Sequence, residues 1–201
     1  GYDIKVIYNG IDIFPTCLNN KKPLSPNGKI FIGFVGELHH RKGVHILIES
    51  LKYVSSSCEV IMIGSGDENY IEKLKDLQAS SPWPVKFLGF REDVRHLYEK
   101  LDIVVLPSIA FESFGMVLLE AMLWEKPVIC SDFGGMKEVV DHKQTGLVVP
   151  ANDAKALAGA LDCLLSNPVM RKQMGILGRK RLEELFSDRV MVDQYKKLFF
   201  H

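Results

Sequence analysis

From residue 29 onward, short apolar runs alternate with stretches of helical periodicity, and this alternation restricts the chain to one architectural class. The runs at 30–36, 60–64 and 103–107 are nearly unbroken in Val, Ile, Leu, Met and Phe. A strand with one face in water would alternate apolar with polar residues, so these strands are covered on both faces. Between the first two runs, Val44, Leu47, Ile48 and Leu51 recur at helical spacing. The same reading gives a helix over 68–79, a strand at 85–88, a helix at 92–99 and a strand at 102–106. A loop at 107–115, a helix at 116–124, a strand at 127–130, a helical turn at 135–140 and a last strand at 147–149 complete the series. Doubly covered strands separated by amphipathic helices specify an α/β domain, a doubly wound parallel sheet of Rossmann-like type.

After Pro150 the strands stop. Asp153 can cap a helix carrying Leu157, Leu161, Leu164 and Leu165, and Asn167-Pro168 ends it and opens the next, since proline suits a first helical position. Helices are expected at 168–185 and 188–199. At the other end, residues 4–8 look strand-like, and Pro15, Pro23 and Pro26 among Asn and Lys read as linker. The expected division is a linker segment at 1–28 with its strand, a ligand-binding domain at 29–185, and a C-terminal helix at 186–201. At 201 residues one domain of this size buries about 70% of its unfolded surface, leaving little room for a second.

Charge is balanced at 25 basic and 25 acidic residues, so no global field favours nucleic acid. Cys17, Cys58, Cys130 and Cys163 are widely separated, a pattern of reduced thiols rather than of a zinc site. The apolar runs are too short to span a bilayer and no signal peptide is visible, so the expected location is cytoplasmic.

A parallel sheet binds ligands beyond the carboxyl ends of its strands, which gathers the loops after Val35, Ile63, Leu88 and Leu106. The most informative of them runs Glu112-Ser113-Phe114-Gly115-Met116-Val117-Leu118-Leu119-Glu120. A helix starting near Gly115 or Met116 leaves unpaired N–H groups and a partial positive charge, a site for an anion such as phosphate. Glu112 and Glu120 add hydrogen-bond acceptors on either side, which suits a ligand with hydroxyls at both ends of a diphosphate. A capping role for Glu112 is the plainer alternative. Glu120 sits among Val117, Leu118, Ala121 and Met122 on a largely buried helix, so its carboxylate requires a partner.

In the loop after the first strand, Gly36 permits close backbone approach, and Arg41 and Lys42 offer cations that would clamp a diphosphate from the side opposite the helix. The alternative is a solvated loop. Gly64-Ser65-Gly66 is a fragment of a glycine-rich turn, and Phe90 with Arg91 could present a ring and a backbone edge to a base, or Phe90 could be core. Gly134-Gly135 reads as a backbone turn, and the irregular spacing of His39, His40 and His45 argues against a metal.

Together, Val-Gly-x-Leu-x-x-Arg-Lys-Gly at 35–43, Gly-Ser-Gly at 64–66, Phe-Leu-Gly-Phe at 87–90, Leu-Pro-Ser at 106–108 and the two-glutamate segment at 112–121 resemble the donor-binding half of family-4 retaining glycosyltransferases of the two-domain GT-B class. Pro-Val-Ile at 127–129 and Gly-Leu-Val-Val-Pro at 146–150 extend the resemblance, and 6–12 resembles the family's passage between domains. The resemblance implies a hexosyltransferase that moves a sugar from a nucleoside diphosphate sugar to an acceptor glycan or lipid-linked sugar. It implies no cofactor and no metal. It places Lys42 and Arg41 on the diphosphate, Glu112 on sugar hydroxyls and Glu120 on ribose hydroxyls. Ser113, Phe114, Gly115, Met116 and Val117 would surround phosphate and sugar, and Gly36, Gly66, Phe90 and Arg91 would complete the donor site. The partner implied is an N-terminal acceptor-binding domain, toward which the last helix would pack and through which the enzyme would touch the inner membrane face; alone, the donor half would be weak or inactive. Glu37 departs from the family, which often has arginine there. A non-catalytic nucleotide-sugar-binding module and a sugar-nucleotide epimerase or phosphorylase are the alternatives.

Overall fold

The computed structural model describes residues 4–15 and 28–200. Six strands, β1 (Ile30–Val35), β2 (Cys58–Ile63), β3 (Val85–Phe87), β4 (Ile103–Leu106), β5 (Val128–Ser131) and β6 (Gly146–Val149), form one sheet in the order β3-β2-β1-β4-β5-β6. All neighbouring pairs are parallel. Every residue of β4 and β5 is buried, as expected of strands covered on both faces. The buried charged residue within the strands is Glu59 in β2, whose carboxylate lies 2.6 Å from both Lys29 and Lys86. Burial works to raise its pKa, and the two ammonium groups outweigh that and hold it below the usual carboxylate range.

Eight helices accompany the sheet among the described residues: α1 (Val44–Ser50), α2 (Glu68–Ala79), α3 (Val94–Lys100), α4 (Met116–Leu123), α5 (Met136–Val139), α6 (Ala154–Ser166), α7 (Pro168–Leu185) and α8 (Asp188–Phe199). Helix α1 packs on α2 and α6, while α4 packs on α7. Side chains close several N-termini as the sequence indicates: Asp153 accepts from Lys155 and Ala156, and Asn167 accepts from Met170 with Pro168 behind it. The order reverses beside β1: β2 lies on one side and β4 on the other. The loops after β1 and β4 therefore leave the sheet in opposite directions and open a crevice between them.

The N-terminal segment departs from expectation. Residues 4–10 form no strand, although their apolar pattern resembles one. Instead the chain is pinned to the α7–α8 corner: the Ile11 amide donates to the Phe186 carbonyl and the Asp188 amide to the Ile11 carbonyl, each at 3.0 Å. Tyr8 stacks on Phe114 at 5.8 Å and meets Phe186 edge-on at 5.4 Å. The proline-containing stretch with Pro23, Pro26 and Cys17 lies outside the described residues. Cys58, Cys130 and Cys163 are free thiols, and burial pushes the first two up to about 12.

Candidate functional site

Backbone hydrogen bonds lace the strand-end loops together. The Gly36 amide donates to Ile63 at 2.9 Å, Leu38 to Ser65 at 2.8 Å and Gly64 to Gly89 at 2.9 Å, joining the loops after β1, β2 and β3. From the other side of the crevice, the Ile109 amide donates to the Arg41 carbonyl at 2.8 Å, tying the β4 loop to the 3₁₀ turn at His40–Lys42. That turn is closed by His39, whose Nδ1 accepts from the Arg41 amide at 3.1 Å. His40 and His45 stack at 4.3 Å, and His45 Nδ1 lies 3.0 Å from the Tyr70 hydroxyl. Burial, reinforced by His40, lowers the His45 pKa to about 4, so its ring is neutral near pH 7.

The same lacing brings Lys42 and Glu112 together. Lys42 Nζ donates to Glu112 Oε2 at 2.5 Å, with both side chains mostly buried, and the Ser108 hydroxyl donates to that oxygen at 3.0 Å. This corrects the expectation that Lys42 faces Glu112 across a diphosphate: the two belong to one wall. Arg41 is corrected likewise. Its guanidinium is held by Glu37 at 2.7 Å and reaches the Phe111 carbonyl at 3.5 Å, so Glu37, standing where a cation was expected, offsets its charge.

Three residues beyond Glu112, Gly115 takes a left-handed conformation (φ 85°) and α4 begins at Met116 with no side chain capping it. Glu112 is therefore not its cap. The first amides of α4, at Met116 and Val117, point out of the helix start as the sequence predicts. Phe114 is buried in the cluster with Tyr8 and Phe186 and anchors the segment from beneath. The Gly134-Gly135 pair supports it from above: a Cβ at Gly134 would collide with the Glu112 carbonyl and one at Gly135 with the Ser113 carbonyl. The pair is thus a contact surface for the site rather than only a turn.

Two cavities of about 310 Å³ each adjoin one another at Val94, and neither is lined by Lys42 or Glu112. The first is bordered by Gly36, Glu37, Gly64, Ser65, Phe90 and Arg91. Phe90 is 71% exposed, which excludes the core alternative. Arg91 is held in a two-point contact with Asp93 at 2.8 and 2.9 Å. Gly66 does not border this cavity. It pairs with Leu38, against whose carbonyl any Cβ would collide, so its role is to seat two loops against each other.

The second cavity is lined by Glu120 with Asp12, Phe14, Arg95, Tyr98 and Trp124, and Val94 borders both. Here Glu120 has the partner its helix demanded: the Tyr98 hydroxyl donates to Oε2 at 2.7 Å. Burial, then the adjacent carboxylate, raises the Tyr98 pKa well above its ordinary value, so the hydroxyl keeps its proton and remains a donor. Sequence reasoning missed Ser108, Tyr98, Asp12 and the role of Gly134-Gly135. A buried polar residue directly after a strand was the available signal for Ser108.

Comparison with known proteins bears on the family and the fold. The family profile described as Glycosyl transferases group 1 matches residues 18–181. An uncharacterized glycosyltransferase of Methanocaldococcus jannaschii is 32% identical over 92% of this chain and 50% of its own length. The capsular polysaccharide biosynthesis glycosyltransferase CapM of Staphylococcus aureus is 30% identical over 95% of this chain and 52% of its own. The chain thus spans about half the length of these curated relatives. Among solved structures, HepE of Anabaena in complex with UDP superposes with a TM-score of 0.85 at 27% identity, over 96% of this chain and 56% of that one. The same protein with UDP-glucose gives 0.83 at 28% identity, with the same coverage of both chains. The sheet is that of GT-B glycosyltransferase structures, and the chain belongs to the glycosyl transferases group 1 family.

Proposed function

We propose that this chain is the donor-binding half of a retaining hexosyltransferase, which takes a sugar from a nucleoside diphosphate sugar and passes it to an acceptor hydroxyl on a glycan or lipid-linked sugar. The observation that carries the reading is the 2.5 Å pairing of Lys42 with Glu112 three residues before the uncapped start of α4. A cation, a carboxylate and free helix amides converge there, and those are the groups a diphosphate and an adjoining sugar need. Glu112 takes sugar hydroxyls, Lys42 and the amides of Met116 and Val117 take the diphosphate, and Glu120 takes the ribose hydroxyls in the second cavity. The base lies against the exposed Phe90 and Arg91 at the first cavity, beside Gly36.

In the reaction, the bond from the anomeric carbon to the diphosphate oxygen breaks as the bond to the acceptor oxygen forms on the same face. The departing electron pair stays with the diphosphate, whose leaving oxygen takes the acceptor hydroxyl's proton, and Lys42 and the helix N-terminus stabilise the developing charge electrostatically. Arg41 contributes less while Glu37 holds it. The acceptor is brought by an N-terminal domain, and α8 with the segment at 4–15 is the face toward it.

A non-catalytic nucleotide-sugar module is favoured by one feature, the Glu37–Arg41 pair, which withdraws a cation from the diphosphate. A transfer assay on the full-length protein separates the two. Under the leading reading a panel of UDP and GDP sugars raises the melting temperature of this chain and the full-length protein releases nucleoside diphosphate in proportion to sugar transferred. Binding without any turnover by the full-length protein would support the module instead.

A further inference from the structure

Glu112 is held by one oxygen only. Lys42 Nζ and the Ser108 hydroxyl both donate to Oε2, and among the described residues no donor reaches Oε1. The side chain is only 9% exposed, and Oε1 is the carboxylate oxygen that the protein leaves open as an acceptor. Ser108 is fully buried immediately beyond β4, and the Ser131 hydroxyl at the end of β5 donates to its carbonyl. Two adjacent strands thus fix the serine that fixes the glutamate.

We propose that Ser108 is a positioning residue for sugar discrimination: anchored through Ser131, it turns Glu112 so that Oε2 is occupied by protein and Oε1 is presented to a hydroxyl of the donor sugar. The proposal rests on the donor-site reading above. Because Ser108 acts on the sugar-facing carboxylate, its loss should leave the nucleotide contacts intact.

Calorimetric titration tests this with UDP alone and with whichever UDP or GDP sugar most raises the melting temperature, using the matching nucleoside diphosphate as reference. In S108A the affinity for the bare nucleoside diphosphate stays within about twofold, while the affinity ratio of sugar nucleotide to nucleoside diphosphate falls about tenfold, the loss of one hydrogen bond to a charged group. In an E112Q background S108A causes no further change, because the serine works through that carboxylate. If S108A does not fold, S131A, which loosens Ser108 while keeping its hydroxyl, carries the same expectation. Equal losses for both ligands, an unchanged ratio, or additivity with E112Q overturns the inference while leaving the donor site standing. Failure of the parent chain to bind any of these nucleotides overturns both.

Discussion

Lys42 and Glu112 lie 70 residues apart in sequence and 2.5 Å apart in space, so removing either strands the other's charge in a poorly hydrated place. Lys42→Ala is therefore expected to destabilise the ligand-free chain by about 1–3 kcal/mol, the cost of leaving a mostly buried acceptor short of a donor. An unchanged urea midpoint for that variant would mean that the pair is not formed in solution. Tyr98→Phe removes the donor that orients Glu120 and should weaken nucleotide binding irrespective of the sugar attached, whereas Glu112→Gln should alter the ranking of sugars; titration of both variants against a nucleoside diphosphate and its sugars shows which carboxylate reads which part. His45 adds a pH dependence. Its folded pKa of about 4 lies below the ordinary 6.5, so between those values the unfolded chain binds more protons. The stability it contributes is complete above pH 6.5 and is lost as pH falls through 4. His45→Gln should shrink the difference in urea midpoint between pH 7.5 and pH 5; an equal difference in parent and variant assigns the acid sensitivity elsewhere. At this scale the sequence was only half legible. Residue type and position drew attention to Glu112, Glu120 and Lys42 as candidates, but the pairing of Lys42 with Glu112 depends on how two loops from opposite sides of the crevice meet. No local pattern carries that.

Among the elements, α4 and its approach are the best determined by sequence. An apolar run preceded by a glycine that can enter the left-handed region defines where the helix starts, and it starts at Met116. Helices α2, α7 and α8 lie where the sequence reading put them; of the residues that cap their N-termini, Asp67, Asn167 and Ser187, only Asn167 entered that reading. The segment at 4–8 was misread because apolar alternation is equally satisfied by an extended chain pinned to a helix corner. What sequence did not convey is how closely elements approach. Gly135 has an ordinary backbone conformation, yet a Cβ there would meet the Ser113 carbonyl, so Gly135→Ala should displace the start of α4, cost about 1–3 kcal/mol and weaken nucleotide binding. Gly159, inside α6 with open space around it, supplies the contrast: Gly159→Ala should stabilise the chain by about 0.5–1 kcal/mol without affecting binding. Thermal melts and nucleotide titrations of the two variants check both signs, and similar behaviour of the two would contradict the packing role given to Gly135.

For the molecule as a whole, the strand order β3-β2-β1-β4-β5-β6 explains why the candidate residues, scattered from Gly36 to Glu120, gather: they occupy loops and one helix start at one end of one sheet, around the point where the order reverses. The two cavities share Val94 and, with the Lys42–Glu112 pair between the β1 and β4 loops, make up the proposed donor recess. Exposed apolar groups at Ile4, Val6, Leu198, Phe199 and Phe200 lie on the two terminal segments, which the Ile11–Ser187 bridge joins at one point. No helix among the described residues is long and apolar enough to cross a membrane. The central claim is that this recess binds a nucleoside diphosphate through Lys42 and Glu120, and it is tested most directly by calorimetric titration of UDP and GDP into the chain and its Lys42→Ala and Glu120→Ala variants. Saturable binding of at least one nucleotide by the parent, weakened about tenfold or more in each variant, is the expected result; equal affinities in all three proteins would contradict it.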